Sequence, residues 1–175
     1  FSAGFFYLLG LIASDGNNTR EKRTARHTRL KLHNTEETLV DKFISEYKKL
    51  FPKIPISKKK ITKSLFQADT SNSFLATVAA NFGIKSPYKN SDIEPILYLQ
   101  PAFIKAFLRG YFDGDGNAYF KKKDRIKGNY SNIRIYCCNF CNIKRIHQML
   151  LKIGITNRII KTKPQNNYVM YLVEV

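Results

Sequence analysis

Two aspartates one hundred residues apart, Asp15 and Asp115, each precede a glycine at the end of an apolar stretch. The stretches are Leu8-Leu9-Gly10-Leu11-Ile12-Ala13-Ser14-Asp15-Gly16 and Leu108-Arg109-Gly110-Tyr111-Phe112-Asp113-Gly114-Asp115-Gly116, an internal repeat. Each closes a segment of helical periodicity, carried by Phe5, Leu8, Leu9 and Ile12 in one copy and by Phe103, Ala106, Phe107 and Gly110 in the other. Asp-Gly then breaks each helix. Gly10 with Ser14, and Gly110 with Gly114, put small residues four apart on one face, so two helix backbones can approach closely there. Such packing would bring Asp15 and Asp115 together. Two carboxylates about 5 Å apart repel by roughly 3 kcal/mol at an effective dielectric of 20, enough to raise one pKa by about two units unless a cation intervenes. Mg2+ suits hard oxygen ligands and can activate a water for attack on a phosphate. A single Asp before Gly is ordinarily a turn residue; the duplication is what points to chemistry. Asp113 faces only Ala13 at the partner position and reads as structural. Asp113 to Asn117 is not a calcium loop, because Ala118 stands where glycine is required and Asp124 where a bidentate glutamate is wanted.

The elements that must position these acids repeat as well. After Asp15 a basic stretch turns into Arg29-Leu30-Lys31-Leu32-His33, and after Asp115 the segment Lys121 to Lys127, with a turn at Gly128-Asn129, leads to Asn132-Ile133-Arg134-Ile135-Tyr136. Both strands alternate polar and apolar, as half-buried strands do. Asn34 with Glu37 forms a capping-box pattern before a helix whose stripe includes Leu39, Phe43, Tyr47 and Leu50. Asn139 caps its counterpart, with Ile143, Ile146, Leu150 and Ile153 as the stripe and Gly154 as the stop. A second basic hairpin follows in each half, Lys58 to Gln67 and Arg158 to Glu174, the latter turning near Pro164 to Asn167. The first half adds a helix over Ser73 to Phe82 and then a connection punctuated by Pro87, Pro95 and Pro101. We therefore divide the chain into halves 1–92 and 93–175, the second expected to have lost its closing helix.

The chemistry of the partner follows from charge. Thirty Lys and Arg against 13 Asp and Glu give the 175 residues a net charge of +17, and 43% hydrophobic residues allow a real core. A globular protein so basic is matched to a polyanion. Phe5 to Ala13 is too short to span a bilayer, so a membrane partner is not expected. Cys137, Cys138 and Cys141 cannot form a paired disulfide framework, which points to an intracellular setting. Cys138, Cys141 and His147 lack a fourth zinc ligand, so these two thiols are expected to be buried instead.

A two-stranded ribbon fits the major groove of double-stranded DNA, with groove-facing side chains alternating with apolar ones packed on helices. Arg29, Lys31, Lys58, Lys60, Lys63, Gln67, Arg134, Arg158, Lys161, Lys163 and Gln165 are the candidates for that face. Which of them read bases and which hold phosphates stays open at this level. Lys48, Lys49 and Lys152, on helices, are expected to face water.

The two nonapeptides and the element order after each resemble the single-chain LAGLIDADG homing endonucleases over essentially the whole chain. Leu8 to Gly16 matches six of the nine letters, departing at Leu9, Ala13 and Ser14, and the second copy matches at Leu108, Gly110, Asp113, Asp115 and Gly116. The resemblance implies an α/β fold of the α+β type, two pseudo-symmetric αββαββ(α) halves forming a saddle of antiparallel sheets around two central motif helices. It implies that Asp15 and Asp115 are catalytic and bind Mg2+, with the backbone carbonyls of Ser14 and Gly114 as neighbours. A polar residue at a strand end would position water or phosphate, His33 in the first half and a residue near Cys137 or Cys138 in the second. The implied activity is site-specific double-strand cleavage of a long asymmetric DNA target by an intron-encoded, monomeric enzyme. An RNA maturase that binds its intron, a DNA-binding regulator on the same fold and an intein-embedded endonuclease are the alternatives; retention of both acids favours the nuclease.

Overall fold

Helix α1 (Ala3–Asp15) is buried at every position from Phe5 to Ala13, as a helix apolar all round must be. It lies along helix α4 (Pro101–Asp115) at the centre of the molecule. A side chain could not be added at their crossing: a Cβ on Gly10 would strike the carbonyl oxygen of Phe107, and one on Gly110 the carbonyl oxygen of Tyr7. The small-residue spacing thus does what it predicts. Tyr7 donates to Asp113 Oδ2 at 2.8 Å and Lys42 Nζ reaches the same oxygen at 2.7 Å, so Asp113 ties the halves together. That is the structural role expected of it.

The computed structural model describes residues 1–20, 28–85, 91–121, 130–162 and 170–175. In the first half α1 is followed by β1 (Gly16–Arg20), β2 (Thr28–Asn34), α2 (Glu37–Leu50), β3 (Ser57–Lys60), β4 (Phe66–Thr70) and α3 (Ser73–Asn81). A short 3-10 helix, Glu94–Tyr98, leads to α4 and then β5 (Gly116–Lys121), β6 (Tyr130–Cys137), α5 (Phe140–Lys152), β7 (Arg158–Lys161) and β8 (Tyr171–Glu174). The strands form two antiparallel four-stranded sheets, ordered β1-β2-β4-β3 and β5-β6-β8-β7. This is the expected α+β plan of two like halves around two central helices. The turns expected at Gly128-Asn129 and Pro164 to Asn167 lie outside the described residues. No described helix is long and apolar enough to cross a membrane.

Each sheet has a helix side and an open side, and register decides which residue goes where, since residues paired across antiparallel strands share a face. Leu30 pairs with Thr70 and Leu32 with Ala68, all buried against the helices. In the second sheet Ile135, Val173 and Ile159 form the equivalent inward row. The alignment of the halves follows: Leu32 lies opposite Gly16, and Ile135 opposite Gly116. Leu30 therefore corresponds to Ile133. Leu30 is fully buried where α3 packs on β2, whereas Ile133 is 42% exposed. Together with Leu108, Phe112, Leu150 and Val175 it lines an apolar groove of about 300 Å³.

Three local expectations are corrected. Helix α2 begins after Glu36, with no side-chain cap, and Asn34 is instead the last residue of β2. Its Oδ1 accepts from the Glu36 N–H at 2.7 Å, closing an Asx turn that competes with the capping geometry. Asn139 does cap α5, and Gly154 ends it at φ +83°. Cys138 and Cys141 are exposed rather than buried; the buried thiol is Cys137, which falls in the inward row of β6. Lys152 does not simply face water: its ammonium donates to the Leu97 and Leu99 carbonyls, at the end of the 3-10 helix.

Candidate active site

Helices α1 and α4 end alike. Gly16 and Gly116 leave the helix in extended conformation, each donating its N–H to the fourth residue back, Ile12 or Phe112. Asp15 and Asp115 are therefore the last helical residues on two neighbouring helices. Their tips meet: a Cβ placed on Gly114 would run into Ser14 Oγ and Asp15 Oδ2. Both carboxylates are largely withdrawn from water. Burial, followed by the charge of Asp15, pushes the Asp115 carboxyl up to about 7. Asp15 is also raised by burial, but hydrogen bonds from Asn34 and Ser14 work against the rise. Asn34 Nδ2 donates to Asp15 Oδ2 at 3.2 Å, and Ser14 Oγ lies 3.4 Å from the same oxygen.

The donor set fits a hard divalent cation. Two carboxylates in partial desolvation repel, and the carbonyls of Ser14 and Gly114 lie in the last helical turns, where main-chain oxygens lack intrahelical partners and carry the negative end of the helix dipole. No cluster of three or more His, Cys, Asp or Glu able to hold a metal occurs among the described residues. The ligands at hand are two carboxylates and main-chain oxygens, a set of hard oxygens that would suit Mg2+ or Ca2+ better than zinc.

His33 does not touch either acid. It stands on the open side of the first sheet, its Nε2 2.8 Å from Gln67 Oε1, and Gln67 Nε2 in turn reaches Asp69 at 3.4 Å. The strand-end residue that contacts an acid is its neighbour Asn34. Parity offered a signal for it, because Leu30, Leu32 and Asn34 fall on one face of β2 and that face looks toward the helices. In the second half the position of His33 is occupied by Tyr136, paired with Leu172, and not by Cys137 or Cys138. Cys137 takes the place of Asn34, and its sulfur bonds to the main chain of Asn139.

The same parity sorts the basic candidates. Arg29, Lys31, Gln67, Arg134 and Arg158 lie on the open sides. Lys58, Lys60 and Lys161 do not: they pair with Ala68, Phe66 and Tyr171, whose side chains pack inward. Lys58 is instead held at 2.6 Å by both Glu37 and Asp41 of α2, and Lys60 lies over the Phe66 ring. The lysine on the open side of β3 is Lys59, which the sequence reading passed over; with Arg29, Ser57 and Asp69 it lines a shallow open cavity. Lys63 is exposed in the β3–β4 turn. Lys163 and Gln165 lie outside the described residues. Gln67 is almost fully buried by its neighbours, and Arg134 and Arg158 both bind Glu174. Glu174 is held below the usual carboxylate range, first by Arg158 and then by Arg134.

Residues 102–175 match the family model described as a LAGLIDADG-like domain. No curated protein matches the chain. Among solved structures, variants of the homing endonuclease I-DmoI superpose with a TM-score of 0.72 at 19% identity, covering 98% of this chain and 88% of that one. I-DmoI in complex with DNA and Mn gives a TM-score of 0.69 at 19% identity, over 98% and 89%. Full-length DUF199/WhiA from Thermatoga maritima gives 0.62 at 17% identity, over 98% of this chain and 50% of that one. What these structures share with the chain is its fold.

Proposed function

From a chain with the two-halved LAGLIDADG fold, whose second half is a LAGLIDADG-like domain, we propose a site-specific DNA endonuclease that cuts both strands of a long asymmetric duplex. The observation that carries this reading is the meeting of Asp15 and Asp115 at the ends of two packed helices, with open sheet faces bearing Arg and Lys on either side. I-DmoI, one of the structures whose fold this chain shares, is a homing endonuclease seen with DNA and divalent metal, which supports the same partner and a divalent cofactor here.

Each residue then has a task. The open-side cations draw in the phosphate backbone and set the duplex across both sheets. Asp15 and Asp115 would hold the cations, with the main-chain oxygens of Ser14 and Gly114 beside them. When bound, Mg2+ lowers the pKa of a water and offsets charge building on the phosphate. Asn34 fixes the rotamer of Asp15 through the 3.2 Å hydrogen bond, so that acid is pre-positioned before any cation arrives. Each acid serves one strand. Because one chain supplies both, the enzyme works as a monomer; we place it inside the cell as an intron-encoded protein, as the resemblance suggests.

Incubation with a library of DNA duplexes in Mg2+ and in Ca2+, beside Asp15→Asn and Asp115→Asn, tests the reading. Double-strand scission in Mg2+, binding alone in Ca2+ and loss of double-strand scission with retained binding in either variant are expected. Binding of structured RNA in preference to DNA, without scission, would instead establish the maturase.

A further inference from the structure

Glu174 occupies an unusual position for an acid. Strand register places it in one cross-strand row, between Arg134 of β6 and Arg158 of β7, on the open side of the second sheet. Its Oε1 accepts from Arg134 Nε at 2.9 Å and Nη2 at 2.7 Å, and from Asn132 Nδ2 at 3.3 Å. Its Oε2 accepts from Arg158 Nε at 3.0 Å and Nη2 at 2.5 Å. The carboxylate is 8% exposed while the Arg158 side chain is 75% exposed, so the acid lies beneath and the guanidinium above. The same row in the first half reads Ser57, Asp69, Lys31 and contains no arginine.

A guanidinium gripped through Nε and one side of Nη2 keeps its far edge, made of Nη1 and the other side of Nη2, pointing outward. Those two N–H groups are parallel, fixed in plane and spaced for the O6 and N7 acceptors of guanine in the major groove. Fixing the fork beforehand also removes the ordering cost that a loose surface arginine meets on binding. We propose that Glu174 and Arg158 form a guanine-reading unit for the half-site under the second sheet, Arg158 contacting the base and Glu174 acting as its positioning residue. The inference rests on the DNA reading of the open sheet faces. It separates Arg158 from a surface lysine, which as a point charge holds phosphate without reading sequence.

The test is selection of bound duplexes from a randomised library by the full chain in Ca2+, followed by sequencing, for the wild type, Arg158→Gln and Glu174→Gln. One position in the selected site should demand guanine. Arg158→Gln should abolish that demand or turn it toward adenine, leaving the other positions unchanged. Glu174→Gln should weaken discrimination at the same position by about tenfold while tightening binding to random duplex, because losing the negative charge beneath the two arginines leaves the open side more positive. Those opposite movements are not what simple damage to an ion pair produces; a merely structural Glu174 would lose affinity at all positions together. Arg158, exposed at the surface, keeps the test decisive should Glu174→Gln fold poorly. An unchanged guanine preference in Arg158→Gln, or selection of no sequence at all, overturns the proposal. Sequence-specific binding that depends on Arg158 but never leads to cutting in Mg2+ upholds this inference and sinks the endonuclease reading.

Discussion

Asp15 and Asp115 occupy the same place in two halves built on one plan, yet they sit in different surroundings. Asp15 accepts from Asn34 and has the Ser14 hydroxyl alongside; at the corresponding places Asp115 has Cys137, whose sulfur is engaged with Asn139, and Gly114, which has no side chain. A like contrast separates the helix sides of the sheets, where α3 seals Leu30 and nothing described seals Ile133. It separates the open sides too, with Lys31, Asp69 and Gln67 in one sheet and Arg134, Glu174 and Leu172 in the other. Duplication preserves what the backbone needs, the glycines at the crossing and the Asp-Gly helix ends. It leaves single side chains at equivalent positions to set charge state, burial and recognition independently.

The largest expected effect tests the acids. Burial and the neighbouring charge raise Asp115 from an ordinary value of 3.8 to about 7, so the folded protein holds this proton more tightly than the unfolded chain does. The stability this contributes is fully present below about pH 4 and is lost as pH rises through 7, about 4 kcal/mol for a shift of this size. In metal-free buffer Asp115→Asn should therefore gain up to about 4 kcal/mol over wild type at pH 8 and nothing at pH 4, read from urea unfolding. Asp15→Asn should gain less, because the burial cost it relieves at Asp15 is already opposed by the hydrogen bonds from Asn34 and Ser14, and at Asp115 it removes only the second of two causes. Equal gains from the two variants would erase the asymmetry between the tips. Added Mg2+ should raise the wild type's stability at pH 8 and that of neither variant to the same degree.

The helix sides offer the next contrast. Leu30→Ala removes a fully buried side chain from beneath α3 and should cost about 3 kcal/mol. Ile133→Ala, at the equivalent place in the open groove, should cost under about 1 kcal/mol. Denaturant unfolding of the two variants measures both. A loss at Ile133 as large as at Leu30 would mean that something covers the groove in solution.

What was legible in the sequence, and what was not, divides along physical lines. The central helices, their contact and the order of strands and helices were readable because each rests on a repeated local signal: periodicity, small residues four apart, Asp-Gly ends. Asp15 and Asp115 followed from the same repeat. Side-chain neighbours did not follow, because they depend on strand register, and a slip of one residue sends every side chain to the other face. For that reason the sequence alone puts Lys58 and Lys60 on the open side and misses Lys59: a run of three lysines carries no alternation to fix the phase. Asn34 fitted a capping box by spacing, but its amide is spent on Asp15 and on the turn into α2. Glu174 gave no signal at all; its two arginines are 40 and 16 residues away and meet it only across strands.

That run of lysines supplies the smallest effect and the sharpest test of register. On the proposed reading Lys59, exposed on the open side, neutralises a DNA phosphate, whereas Lys58 spends its charge on Glu37 and Asp41 across the edge of the helix layer. Removing a phosphate contact lowers the slope of log affinity against log salt by about 0.9. Lys59→Ala should show that drop in a binding titration over a range of KCl concentrations, with affinity weakened similarly for any duplex. Lys58→Ala should leave the slope as it is, since the lost cation faced two carboxylates and not the duplex; freeing Glu37 and Asp41 changes local charge on a surface turned away from DNA. The reverse pattern would place β3 one residue out of register and bring Lys58 and Lys60 back to the groove.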